Sequence, residues 1–324
     1  MRSSASRRPG FLVAAVGALV LASGTVACTP SAAAPEPTEV PTPTATTQPA
    51  ALAAALLAWP GGAVASANPA DPPGALTFGG VQRSYLLHVP PGLQNPSGLV
   101  INLHGAGMTG RDQAGLTNYN AVGDRFGFVV AYPDGIDLSW ADGRGASVPD
   151  RQGVDDVGFL AALIDRLVRD FRVPPGRVFV TGMSAGAFMA TRLACQRADL
   201  VAAIAPVAGT LGSGVPCAPS RPVSVLQIHG TADPVVPYAG GPMVGRGGAS
   251  DVVAAPAIAE RWRAIDQCPG PLADAGAAGA ISRMTAVGCA AGTEVEFVRV
   301  DGGGHSWTPD ASWASGQFFA AHGR

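Results

Sequence analysis

The chain has 324 residues, enough for one large domain or two small ones with a substantial core. A net charge of −2 with only 14% charged residues leaves no broad basic surface, which argues against nucleic acid as a partner. Every Lys/Arg position is arginine, and with 43 glycines this reads as coding bias rather than as a binding adaptation.

The N-terminus opens with a positive stretch, Met1 to Arg8, then runs apolar from Phe11 to Ala22 and ends in small residues before Cys28. This is the layout of an export signal, too short for a comfortable membrane span. The small residues point to a bacterial lipoprotein signal over residues 1–28, with Cys28 lipidated and exposed as the new N-terminus. Thr25 departs from the aliphatic residue usual there. The competing reading is cleavage after an Ala-x-Ala-like site and release of a free secreted protein. Residues 29–75 form a linker that opens with a Pro/Thr/Ala stretch, "TPSAAAPEPTEVPTPTATTQP", which has no periodicity and reads as an extended spacer. The apolar run Ala50–Trp59 within it is too short to span a bilayer.

From there the pattern alternates between strand and helix. "RSYLLHV" (83–89) alternates like an edge strand. "GLVINLHG" (98–105), "FGFVVAYP" (126–133), "RVFVTG" (177–182), "PVSVLQIHG" (222–230) and "EVEFVRV" (294–300) are short β-branched runs, apolar on both faces as a buried parallel sheet requires. Between and after them lie helical stretches: "DDVGFLAALIDRLVRDF" with Asp155 as N-cap, "SAGAFMATRLACQRA", "DVVAAPAIAERWRAIDQC" and the tail "ASWASGQFFAAHG". Alternation over residues 76–324 predicts one α/β domain, a doubly wound, mostly parallel sheet with ligands at the strand C-termini. Cys195, Cys217, Cys268 and Cys289 allow two disulfides in three connectivities, and nearest-neighbour pairing would close two loops of about twenty residues. No spacing resembles a zinc site, and no metal or organic cofactor is expected.

Gly182-Met183-Ser184-Ala185-Gly186 falls between a predicted strand and a predicted helix, the context of a nucleophile elbow. The alternative is a serine that merely caps its helix. A nucleophilic serine needs a base, and the base an orienting acid. His305, after three glycines that follow the last strand, is the candidate base. His88, His104, His229 and His322 read as structural or surface residues. Asp233, in an Asp-Pro turn past a strand end, is the candidate acid. Its rival Asp301 reads as a strand cap, and Asp134, Asp155 and Asp156 as caps or loop anchors. The oxyanion donors would be the amides of Ala185 and Ala106, with Gly107 next in line. Trp140, Tyr238 and Trp307 lie in loops after strand ends and are candidates to line the substrate pocket.

"LHGAGMTG", "GFVVAYPDG", "VFVTGMSAGAFMATRLAC", "IHGTADPVVPYAGG" and "GGGHSW" together resemble the polyhydroxybutyrate depolymerase and feruloyl esterase group of α/β-hydrolases, close to carbohydrate esterase family one. The resemblance runs from about Leu76 to the C-terminus. It implies an exported or lipid-anchored serine esterase with Ser184, Asp233 and His305 as its triad, and pairing of Cys195 with Cys217 and of Cys268 with Cys289. Trp307-Thr308-Pro309 departs from the group's Trp-Pro by one residue. The expected substrates are small or oligomeric esters handled by a monomer that meets a membrane only through its anchor. Two other classes are a non-catalytic envelope protein reusing the fold and a serine peptidase.

Overall fold

The computed structural model describes residues 71–308 and 310–323. In chain order its elements are β1 (Pro73–Phe78), β2 (Val81–His88), β3 (Gly98–Leu103), α1 (Gly110–Thr117), α2 (Tyr119–Phe126), β4 (Phe128–Pro133), α3 (Val148–Arg151), α4 (Asp156–Phe171), β5 (Val178–Met183) and α5 (Ala185–Gln196). Then come β6 (Ala203–Val207), β7 (Ser224–Gly230), β8 (Gly241–Gly245), β9 (Gly248–Val252), α6 (Ala255–Ile265), β10 (Ala273–Ala278), β11 (Ile281–Ala286), β12 (Val295–Val300) and α7 (Ala311–Ala321).

Ten strands make one sheet in the order β1-β2-β4-β3-β5-β6-β7-β12-β11-β10. Its centre, from β4 to β12, is parallel, and an antiparallel pair closes each edge. The central strands are buried along their length because helices cover both faces. Within β3, Leu99, Ile101 and Leu103 join a core with α4, α5 and α6, including Phe159, Met189 and Trp262. Val100, between them, faces the other core, with Val122 of α2 and Phe318 and Phe319 of α7. That alternation is the two-residue period of the strand reading out both layers. Helices α2 and α7 approach so closely at Gly316 that a Cβ there would lie 2.4 Å from Val122.

The six predicted strands and four predicted helices all form. Asp155 caps α4 as expected, its carboxylate accepting from the Gly158 amide at 2.8 Å. Helix α6 starts at Ala255 rather than at Asp251, because Asp251 and Val252 pair in β9 and Pro256 takes the helix's first turn. The folded domain also begins earlier than residue 76. Pro73–Phe78 is the edge strand, and buried Asp71 accepts from Asn120 and bonds His88. The stretch read as an export signal, Cys28 and the run Ala50–Trp59 lie outside the described residues.

Disulfides join Cys195 to Cys217 and Cys268 to Cys289, the mark of a domain that matures in an oxidising compartment. The first ties the end of α5 to the segment before β7, across a separation of 22 residues. Replacing both cysteines with alanine should therefore lower unfolding free energy by about 3 kcal/mol, read as a drop in the urea midpoint by circular dichroism. An unchanged midpoint would show that this loop is already constrained in the unfolded chain.

Candidate active site

Strand β5 ends at the centre of the sheet, with Gly182 in register with Leu103 of β3 and Pro206 of β6. The chain then turns into α5 through Ser184, at φ 53° and ψ −117°. Such a positive-φ backbone at a non-glycine residue costs of order 1–3 kcal/mol and persists only where its surroundings enforce it. Here the Ser184 amide donates to Val207 O at 3.0 Å, and its carbonyl accepts from the amides of Ala187 and Phe188. Close backbone packing does the rest. A Cβ at Gly186 would lie 2.1 Å from Leu103 O, one at Gly182 2.7 Å from the same atom, and one at Gly209 2.6 Å from Ser184 O. Although Ser184 occupies the N-cap position, its hydroxyl makes no capping bond. The serine is therefore not there to cap the helix. Its side chain instead lines a cleft of about 230 Å³.

His305 lines the same cleft. Its Nδ1 bonds Asp233 Oδ2 at 2.9 Å, and the other carboxylate oxygen accepts from the amides of Val235 and Val236, both at 2.8 Å. With Nδ1–H donating to the carboxylate, Nε2 carries the lone pair. The two loops meet because β7 and β12 are parallel neighbours that end together, Gly230 opposite Val300. Backbone bonds then sew them: Thr231 N to Val300 O, Ala232 N to Gly303 O, and Gly302 N to Thr231 Oγ1. Burial pushes the Asp233 carboxyl up, but the bonds from His305 and the two amides outweigh it and leave its pKa below the ordinary aspartate value.

Ala106 and Ala185 also line the cleft. Gly107 is not available as a donor, since its amide is committed to Leu138 O at 2.8 Å. Among the described residues no acceptor engages the Ala106 amide, so it is free to serve. His104 shapes this loop: Nδ1 bonds Gly105 O at 2.8 Å, Nε2 accepts from Gly135 N at 2.9 Å, and burial holds its pKa down. His229 is likewise buried and lowered, its Nε2 bonding Val236 O at 3.0 Å and lying 3.6 Å from Asp233 Oδ2. His88 bridges Asp71 and Asp124, and His322 bonds Phe318 O and Glu294. Asp301 pairs with Arg299, Asp134 accepts from Ser84 and Gly110, and Asp156 holds Arg83.

The three aromatic candidates are elsewhere. Trp140 is fully buried, with its indole N–H on His104 O at 2.9 Å. Trp307 is buried in the α7 core and donates to Ser312 Oγ. Tyr238 stacks on Phe297 with ring centres 6.1 Å apart. None of them is among the residues lining the cleft. The wall is built instead by Ser139, Arg144, Ser147 and Met243, with Gly245–Gly248 at the turn of the β8–β9 hairpin. The Gly247-Gly248 pair, flanked by "PMV" and "ASDVV", is the signal that could have revealed this hairpin. Arg144 is locked, forked onto Asp142 and lying 3.7 Å over the Phe188 ring. Among the described residues no group of three His, Cys, Asp or Glu is placed to hold a metal ion.

The family described as "Esterase PHB depolymerase" matches residues 83–280. A Nocardia uniformis protein described as "Putative esterase NocK" is 31% identical over 70% of this chain and 71% of its own length. Feruloyl esterase C of Emericella nidulans is 29% identical over 74% of this chain and 84% of its own. The solved acetyl xylan esterase from Aspergillus awamori superposes with a TM-score of 0.56 at 17% identity, over 76% of this chain and 98% of that one, and so shares the fold.

Because the Asp233 pKa is depressed in the folded state, its stabilisation is present above 3.8 and lost as pH falls through the folded value. Wild type should therefore be more stable than Asp233→Asn at pH 7, with the gap closing as pH drops below 3.8. Urea unfolding of both proteins across that range checks it. A gap that stays constant with pH would mean that the carboxylate charge is not what the loop stabilises.

Proposed function

Since the chain belongs to the PHB depolymerase esterase family and is a carboxylic ester hydrolase, we propose that Ser184, His305 and Asp233 act as its catalytic triad. One observation carries this reading. An uncapped serine hydroxyl on a strained elbow shares a cleft with a histidine whose far nitrogen is fixed by a buried carboxylate.

The steps follow from that arrangement. His305 Nε2 takes the Ser184 proton as Oγ adds to the ester carbonyl, and Asp233 stabilises the imidazolium without itself becoming protonated. The carbonyl oxygen gains negative charge and is received by the amides of Ala106 and Ala185, each contributing around 3 kcal/mol to the transition state. His305 then returns the proton to the departing alcohol. Water repeats the sequence on the acyl-enzyme, releasing the acid and restoring the serine.

A cleft of about 230 Å³ is below the usual ligand-pocket range of roughly 300–1,000 Å³. This favours a short acyl group, a hydroxyalkanoate unit or an acetyl ester of a sugar, while the similarity to feruloyl esterase C is what supports a feruloyl ester of a sugar. The enzyme acts as an exported monomer, and lipidation at Cys28 would hold it on the outer face of the cell membrane.

Ser184→Ala should lose at least ~10³-fold in kcat on p-nitrophenyl butyrate while keeping the wild-type circular dichroism spectrum. Activity near wild type in purified variant would remove Ser184 as the nucleophile. The wild-type rate should also fall steeply for acyl chains beyond about six carbons, measured on a p-nitrophenyl ester series. A flat profile would show that the cleft does not set acyl length.

A further inference from the structure

Beside the Ser184 cleft lies a second recess of about 150 Å³, and the two share the lining residues Ser139, Ser147, Arg246 and Gly247. Two arginines line this recess. Arg246 stands at the turn of the β8–β9 hairpin, and its stem packs over Gly107, one residue from the proposed oxyanion donor Ala106. It donates from Nη1 to Asp137 O at 3.0 Å. Arg151, at the end of α3, donates to Ala146 O and to Gly247 O, the latter at 3.0 Å. All of these acceptors are neutral carbonyls. Among the described residues neither guanidinium is paired with a carboxylate.

The neighbouring acids are mostly engaged. Asp142 is closed onto Arg144, and Asp150 accepts from the amides of Gly143 and Gly145 and lies 4.0 Å from Arg192. Asp137 remains, a lining residue that carries one negative charge against two positive ones. The recess is thus left with one net positive charge and several unspent N–H donors, beside the proposed site of acyl transfer.

We propose that this recess binds a carboxylate, so that the preferred substrates are esters carrying a single negative charge a few atoms from the scissile bond. The inference rests on the triad reading only for where the ester lies. Guanidinium groups fork onto carboxylate and phosphate alike. A single net positive charge in a space this small matches a monoanion better than a phosphate near −2. The field also works over short range only, since the recess is open to salt water.

The test compares mono-p-nitrophenyl adipate with its methyl ester, which has the same reactive end but no charge. The quantity read is the ratio of their kcat/KM values in wild type, Arg246→Gln, Arg246→Lys, and the double variant Arg246→Gln/Arg151→Gln. The ratio should fall about fivefold in Arg246→Gln, through KM, and further in the double variant. Arg246→Lys should keep most of it, and added salt should erode it in wild type. Calorimetric binding of the adipate half-ester to Ser184→Ala, with and without Arg246→Gln, reads the same preference without turnover. It therefore separates this inference from failure of the triad. Equal ratios in wild type and the double variant, with equal binding in the Ser184→Ala pair, would overturn the proposal.

Discussion

Helix α5 comes so close to the end of β3 that its second residue has no room for a side chain. A Cβ on Gly186 would sit 2.1 Å from the Leu103 carbonyl oxygen, well inside contact distance. Everything distinctive about the site depends on that approach. It forces the chain to turn within one residue, which places Ser184 in a conformation that L side chains rarely adopt and keeps its hydroxyl off the helix terminus. It also brings the loop after β3, with Ala106, alongside the first amides of α5. A larger residue at Gly186 would push α5, with Ser184 and Ala185 at its start, away from the loop that carries Ala106. The glycines are thus a condition on distance between two backbones rather than an allowance for flexibility.

A second constraint organises the other half of the site. Asp233 and His305 come from segments 72 residues apart, yet their loops leave neighbouring parallel strands at the same level. Backbone hydrogen bonds between the loops hold the segments that carry Asp233 and His305 together. The carboxylate is satisfied on both oxygens, so in the proposed mechanism it has little to reorganise when charge appears on the imidazole. The buried histidines His104 and His229 serve the same end by fixing loops while staying uncharged.

The sheet centre was legible because each strand there is apolar on both faces, a pattern that short β-branched runs show when helices cover them from both sides. So were the elbow, the Asp-Pro turn at Asp233 and the glycine-rich turn before His305, since each couples a chemically special residue to backbone geometry at a strand end. What stayed hidden had weak local signals. Strand β10 reads "ADAGAA" and is held by pairing with β11 rather than by propensity. Strand β6 contains Pro206, whose missing N–H sits where its ladder to β7 is interrupted. Trp140, Tyr238 and Trp307 show the limit on side chains: a loop aromatic looks the same in sequence whether it faces a pocket or plugs the wall behind it. Trp140 does the latter, and its indole N–H steadies the very loop that carries Ala106.

The hairpin that walls the cleft stands apart from the main sheet. Among the described residues strands β8 and β9 pair only with each other, apart from one isolated bridge from Val252 to Gly212. Val244 on it is 78% exposed, and only Met243 and Val252 are buried. Its exposed side chains can therefore be exchanged with little disturbance to the ten-stranded core, while exchanges at Met243 or Arg246, which line the cleft, change what it presents to a visitor. Under the proposed mechanism, laboratory libraries confined to Met243 and Arg246 would sample new substrate ranges while leaving Ser184, Asp233 and His305 untouched.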